Sequence, residues 1–253
     1  MKSNVFIALL TLTWLVLIAD IIWKGTDGNW RIEDAEKIGE LEVAQYTNQI
    51  IVVAISDEEA ILCLYERNLT DGQLREDMLE ETKDKVHGQE SMRWELVFET
   101  EAVIGKNGLG KTKEGDGKTP AGVFLFTKAF GILENPGTKF EYVQVDERHY
   151  WVDDSSSKYY NQLVDIKNVV PDWKSAEHIV EYGECYHYVL ATSFNVEKIP
   201  GAGSAVFLHC VSDDADATAG CIAIPEVYMR EIIMRVEQQC ILIVDKAENI
   251  SLY

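Results

Sequence analysis

From Gln49 onward the chain is a succession of short apolar or alternating runs separated by turn residues, and this pattern restricts the fold more than any other feature. Residues 50–55 and 60–65 flank the turn-like Ser56-Asp57-Glu58-Glu59, and 94–104 alternates again after a polar, acidic stretch over 70–90. Further strand-like runs cover 123–128, 142–145, 150–152, 186–191, 205–210 and 241–244. Period-two alternation bounded by Gly, Pro, Asp and Ser is the mark of half-buried strands. Only residues 225–239 carry a clear helical period, with Pro225 in the first turn and Val227, Met229, Ile232, Ile233 and Val236 on one apolar face. Many short strands, few helices and no alternation of strand with helix predict a mostly β fold, a sandwich or barrel. The acidic stretch over 70–90, with Leu74, Met78 and Leu79, reads as a solvated insertion.

Length and charge set outer limits. A chain of 253 residues can bury one sizeable core with a small appendage. With 43 acidic against 23 basic side chains its formal charge is −20, which argues against a nucleic-acid partner because phosphate neutralisation needs a basic face. Residues 4–23, NVFIALLTLTWLVLIADIIW, are long and apolar enough to cross a bilayer, with Lys2 and Lys24 at the flanks and no small-x-small cleavage site. The expected organisation is a membrane anchor or signal peptide over 1–24, a juxtamembrane linker over 25–44 and a catalytic domain over 45–253. Under either reading of the first segment the domain works outside the cytoplasm, anchored to the membrane or secreted to the cell wall.

Residues 105–112, Gly-Lys-Asn-Gly-Leu-Gly-Lys-Thr, match the phosphate-loop pattern GxxxxGK[ST]. The chemistry of that loop needs a helix beginning at the lysine, because its N-terminus holds the phosphates. Gly115, Gly117, Pro120 and Gly122 follow instead and disfavour a helix, so no nucleotide is expected.

The residues that carry chemistry lie further on. Thr218-Ala219-Gly220-Cys221 precedes the helical run, and His209 ends the apolar run over 205–209. A thiol on a glycine turn near a helix N-terminus is expected to favour thiolate, and a nearby histidine could take its proton. That is the minimum equipment for acyl transfer through cysteine. Of the other cysteines, Cys210 sits within an apolar run and reads as structural, while Cys63, Cys185 and Cys240 give no disulfide connectivity. His209, Cys210 and Cys221 lack a fourth ligand and ligand-pair spacing, so no metal or other cofactor is expected.

Taken in order, the glycine stretch over 105–110, Thr119-Pro120-Ala121-Gly122-Val123-Phe124, Ala129-Phe130-Gly131, His209 and Thr218-Ala219-Gly220-Cys221 resemble the L,D-transpeptidase catalytic domain family of bacterial cell-wall enzymes. Trp151-Val152-Asp153-Asp154 and Tyr159-Tyr160-Asn161 resemble a branch of the same family. The resemblance implies a mostly β domain with cysteine and histidine in one cleft. It also implies peptidoglycan stem peptides as partners: Cys221 would attack the third residue of a stem tetrapeptide, expel the terminal D-alanine and pass the acyl group to a neighbouring stem's side-chain amine, a 3→3 cross-link. His209 would be general base and acid, and backbone N–H groups at Gly220 and Cys221 would face the oxyanion. Thr218, Asp153, Asp154 and Ser212 are candidate substrate contacts, the two aspartates as orienters of the histidine or the acceptor amine. The chain departs from many members at Ala219 and Ala223, where they carry His and Arg or Asn, positions that bear on donor orientation. The same residues would equally serve an L,D-carboxypeptidase or wall hydrolase; a non-catalytic wall-binding module is the third reading.

Overall fold

A computed structural model describes residues 35–57, 59–68, 93–212 and 216–253. The hydrophobic segment over 4–23 and the acidic stretch over 70–90 lie outside the described residues, and among those described no helix is long and apolar enough to cross a membrane.

The described strands are β1 (Gln49–Ile55), β2 (Ala60–Asn68), β3 (Arg93–Ala102), β4 (Gly122–Gly131), β5 (Tyr142–Gln144), β6 (His149–Val152), β7 (Gln162–Asp165), β8 (Ala176–His178), β9 (Val189–Thr192), β10 (Phe207–Cys210), β11 (Ile222–Ile224) and β12 (Ile241–Lys246). Two α-helices are described, α1 (Ala35–Ile38) and α2 (Glu226–Arg235). A nine-stranded sheet runs β11-β10-β9-β4-β12-β1-β2-β3, with β5 alongside β4, and β7-β6-β8 form a second, three-stranded sheet. The two ends of the large sheet meet, because Val103, just past β3, bridges Ala223 of β11. The result is the nearly closed, mostly β architecture that the strand pattern predicts.

The central strand explains how this closes around two cores. β1 reads Gln-Ile-Ile-Val-Val-Ala-Ile, a β-branched run that pairs parallel with β12 and antiparallel with β2. Successive side chains point to opposite faces. Ile51 and Val53 therefore enter one core with Leu62, Leu64, Leu242 and Val244, while Ile50, Val52 and Ala54 enter another with Cys63, Tyr65 and Ile243. Each such fully buried aliphatic side chain contributes about 1.5–3 kcal/mol. The second core also holds Ile38, Leu41 and Ala44, residues the sequence assigns to the linker, so packing begins upstream of Gln45.

Helix α2 buries Met229, Ile232 and Ile233 in the first core, joined by Val236 just past its end, but Val227 is exposed, and Pro225 precedes the helix instead of opening it. The expected face is thus one residue too wide. Strands β7 and β8 have no counterpart in the sequence reading; at four and three residues they show no alternation to detect. A third core, of Phe130, Trp151, Tyr186, Phe207 and neighbours, lies beneath the cleft.

Candidate active site

Two adjacent parallel strands assemble the site. β10 pairs with β11 in the register Leu208↔Ile222 and His209↔Ala223, so Cys221, one residue before β11, lies beside Phe207. Alternation along β10 sends Leu208 and Cys210 into the first core and Phe207 toward the third, where Cys221 also sits. His209 shares the parity of Phe207. Cys221 and His209 accordingly line one cavity of about 410 Å³. Cys210 is a core residue, as its place in an apolar run suggests, and all five cysteines are free thiols.

The turn that carries the thiol is fixed through its backbone. Thr218 Oγ1 and Thr119 Oγ1 both donate to the Cys221 carbonyl, at 2.7 and 3.3 Å. Thr119 is fully buried and also accepts the Gly105 N–H at 2.8 Å. The strand leaving β3 continues into the same region, where Gly105 bridges Thr218. The threonines of the two sequence blocks are thus the clamps that position Cys221, and motif order was the signal that could have found Thr119. The Thr218 hydroxyl is committed to the turn, since it also accepts the Gly220 N–H at 3.0 Å. The expected oxyanion donor at Gly220 is therefore engaged internally.

The thiol rests against strained backbone. Cys221 Sγ donates to the Ala205 carbonyl at 3.0 Å and accepts the Phe207 N–H at 3.4 Å. Ala205 has φ = 51°, a left-handed conformation that non-glycine residues seldom adopt. Asn161 holds it there: its Oδ1 accepts the Ala205 N–H at 3.1 Å and the Trp151 indole N–H at 3.0 Å, and its Nδ2 donates to the carbonyls of Phe194 and Asn195. The Trp-Val-Asp-Asp and Tyr-Tyr-Asn blocks thus build the scaffold behind Cys221.

His209 Nδ1 lies 2.7 Å from the Cys210 carbonyl. A carbonyl only accepts, so this places a proton of the ring on Nδ1. Burial pushes the imidazole pKa down to about 4, against the opposing pull of the Cys210 and Cys185 carbonyls. Burial also pushes the Cys221 thiol up to about 12; the Glu177 carboxylate adds to this, and the Phe207 N–H and Lys111 oppose it. This corrects the expectation of a helix-stabilised thiolate. Strand β11 separates Cys221 from α2, and the positive end of the macrodipole is felt only near the first turn, so desolvation wins. Both partners rest neutral. Alkylation of Cys221 by iodoacetamide should consequently rise about tenfold per pH unit and show no plateau up to pH 9, whereas an ordinary thiol levels off near its pKa of ~8.5. A plateau near pH 7 in the measured rate would contradict the buried neutral thiol.

The remaining expected residues separate. Asp153 and Ser212 line the cavity. Asp154 caps a turn: its Oδ1 accepts from Ser156 and its Oδ2 from the Lys174 N–H. Two lining carboxyls, Glu114 and Glu177, went unseen in the sequence because no local motif marks them. Glu177 accepts the Tyr186 hydroxyl at 2.8 Å. Burial, helped by the Asp153 and Glu114 carboxylates and opposed by the Tyr186 bond, raises its pKa to about 7. Glu114 accepts the hydroxyls of Tyr160 and Ser204. The residues after Lys111 form turns and bridges instead of a helix, as the glycines and proline require. Among the described residues no group of three or more His, Cys, Asp or Glu side chains is arranged to hold a metal ion.

Residues 87–244 match the family model of the YkuD domain, the L,D-transpeptidase catalytic domain. The chain belongs to the L,D-transpeptidase family. The match spans most of the chain and includes both clamping threonines, His209 and Cys221. Among solved structures, one with partial similarity is a cysteine-to-serine mutant of Enterococcus faecium L,D-transpeptidase, 14% identical, covering 80% of this chain with a TM-score of 0.36. The match takes in about half, 51%, of that protein's length. No curated protein matches the sequence.

Proposed function

We propose that this L,D-transpeptidase family member acts outside the cytoplasm on peptidoglycan stem peptides and forms 3→3 cross-links through an acyl-enzyme on Cys221, with residues 4–23 as its tether. The observation that carries this reading is the shared cavity of Cys221 and His209, on the same face of neighbouring parallel strands. In the first half-reaction Sγ leaves the Ala205 carbonyl and bonds to the carbonyl carbon of the third stem residue. Its proton passes to the His209 imidazole. Because both groups rest neutral, proton transfer accompanies C–S bond formation. His209 then returns the proton to the departing D-alanine amine, leaving a thioester. In the second half-reaction an acceptor amine attacks the thioester, the C–S bond breaks and Cys221 regains a proton.

The acidic wall of the cavity supports an amine acceptor over water. Glu114, Asp153 and Glu177 line it together, and Asp153 Oδ1 is buried with no hydrogen-bond partner among the described residues. An ammonium entering there offsets the burial and the carboxylate repulsion that raise the Glu177 pKa to about 7.

The test is the intact mass of the full-length protein after incubation with a disaccharide-tetrapeptide, together with product analysis. A Cys221-linked acyl adduct and a cross-linked dimer are the expected result. An adduct with tripeptide alone would transfer the assignment to an L,D-carboxypeptidase, and no adduct would remove it. Exchange of His209 for alanine should slow acylation by about 10²–10⁴-fold in single-turnover measurements, the usual worth of general acid–base help. A loss under tenfold would show that another group takes the proton.

A further inference from the structure

The best-formed local motif of the chain, residues 105–112, has no part in the chemistry described so far. Its lysine nevertheless lines the cavity that holds Cys221. The Lys111 side chain is 4% exposed and pairs with Asp116 Oδ1 at 3.1 Å, and that carboxylate is 7% exposed. Asp116 also accepts the backbone N–H groups of Thr112, Lys113 and Lys118, at 2.9, 3.2 and 3.1 Å. Burial alone would raise its pKa, but these bonds and the Lys111 ammonium hold it well below the usual carboxylate range. The carboxylate thus folds the loop and pins the lysine.

An ammonium has three donors, and Asp116 takes one of them. Lys111 Nζ lies 3.2 Å from where a Cβ on Gly220 would stand, and its Cε lies 2.7 Å from the corresponding point on Gly203. Glycine at both positions is what leaves room for the lysine. Lys111 lines the cavity with Cys221 and opposes the upward shift of its thiol. The Lys111–Asp116 pair is therefore a buried dipole whose positive end lies at the nucleophile turn. Meanwhile the Gly220 N–H, which would otherwise be the natural oxyanion donor, is occupied by Thr218 Oγ1.

We propose that Lys111 is a catalytic residue, supplying, beside the Cys221 N–H, the positive charge that stabilises the tetrahedral oxyanion formed on Cys221 in place of the engaged Gly220 amide. The inference rests on acyl transfer at Cys221. As the Sγ–C bond forms, the thiol proton moves to His209 and the carbonyl π pair moves onto oxygen, facing the Lys111 ammonium, which keeps all its protons. The pair returns as the C–N bond breaks and His209 protonates the leaving amine. In a water-excluded site, a preorganised charge aimed at a developing oxyanion is worth more than the same charge in solvent.

Two small probes separate this role from others. p-Nitrophenyl acetate acylates a thiol through a tetrahedral oxyanion; iodoacetamide alkylates it without one. In the full-length protein, Lys111→Met is expected to slow acylation of Cys221 by the ester about 10²–10³-fold. Alkylation at the same pH should fall less than tenfold, through the loss of thiolate stabilisation alone. Equal losses with both reagents would confine Lys111 to the thiolate and overturn the oxyanion role, as would no loss with either. Since Lys111→Met leaves Asp116 without its cation, the double variant Lys111→Met/Asp116→Asn removes both charges and should show the same selective loss. Lys111→Arg retains a cation and should keep more of the ester rate than Lys111→Met; an Arg variant as slow as the Met variant counts against the charge. Neither reagent is a stem peptide, so these ratios decide Lys111 even if the tetrapeptide assay fails and removes the peptidoglycan reading.

Discussion

Replacing Cys221 by serine or alanine is expected to abolish turnover of stem peptide, by about 10⁴-fold or more, while the folded domain persists. Serine keeps a donor for the Ala205 carbonyl, the bond that Sγ makes at 3.0 Å, so the turn retains its anchor. Alanine removes one buried sulfur and its two hydrogen bonds, a loss of about 1–2 kcal/mol against a domain with three apolar cores. The informative control is a second thiol. Cys185 also lines the cavity, whereas Cys210 faces the opposite core, where its thiol approaches the Tyr188 carbonyl. Cys185→Ala should retain activity. Turnover that survives loss of Cys221 and disappears with Cys185 would move the nucleophile to the other wall of the cavity. Activity is measured as D-alanine release and stability by thermal melting.

The second large effect is expected at Gly220. Its φ is +145°, a region open to glycine alone, and a Cβ there would stand 2.7 Å from the Lys118 carbonyl and 3.2 Å from Lys111 Nζ. The lysine tip can move, but the carbonyl belongs to the loop that Asp116 holds rigid. Gly220→Ala should therefore destabilise the domain by about 3 kcal/mol, from backbone strain together with overpacking. For a domain of this size that lowers Tm by about 6–12 °C. Acylation should fall about 100-fold or more, because the displaced turn carries the nucleophile. Gly137 provides the comparison: its φ is +107°, yet a Cβ there meets nothing within 4 Å. Gly137→Ala isolates the conformational strain, about 1 kcal/mol, and should leave acylation unchanged. Equal Tm losses in the two variants would show that packing around Gly220 contributes nothing.

The sequence by itself determined the fold class and the family. Continuous apolar runs rich in β-branched and aromatic residues at 50–55, 60–65, 205–210 and 241–244 became β1, β2, β10 and β12, strands buried on both faces. The order of the Thr-Pro-Ala-Gly and Thr-Ala-Gly-Cys blocks was legible for a related reason: the two threonines clamp one carbonyl, and that requirement leaves a mark on both segments. What stands around the thiol was decided only in three dimensions. Glu114, Asp153 and Glu177 meet because β6, β8 and the loop after β3 converge on one cavity, and nothing in their separate neighbourhoods records it. The thiol's protonation was misjudged locally, since proximity in sequence to a helix is not proximity to its N-terminus once a strand intervenes. Lys111 shows the same limit. Its motif was rightly separated from phosphate binding by the glycines that follow, yet its place beside Gly220 depends on a bridge between Gly105 and Thr218. Periodicity and turn chemistry are short-range and are written into adjacent residues. Burial, and the charges that burial strengthens, depend on which distant strands pair, and that is settled only when the sheet closes.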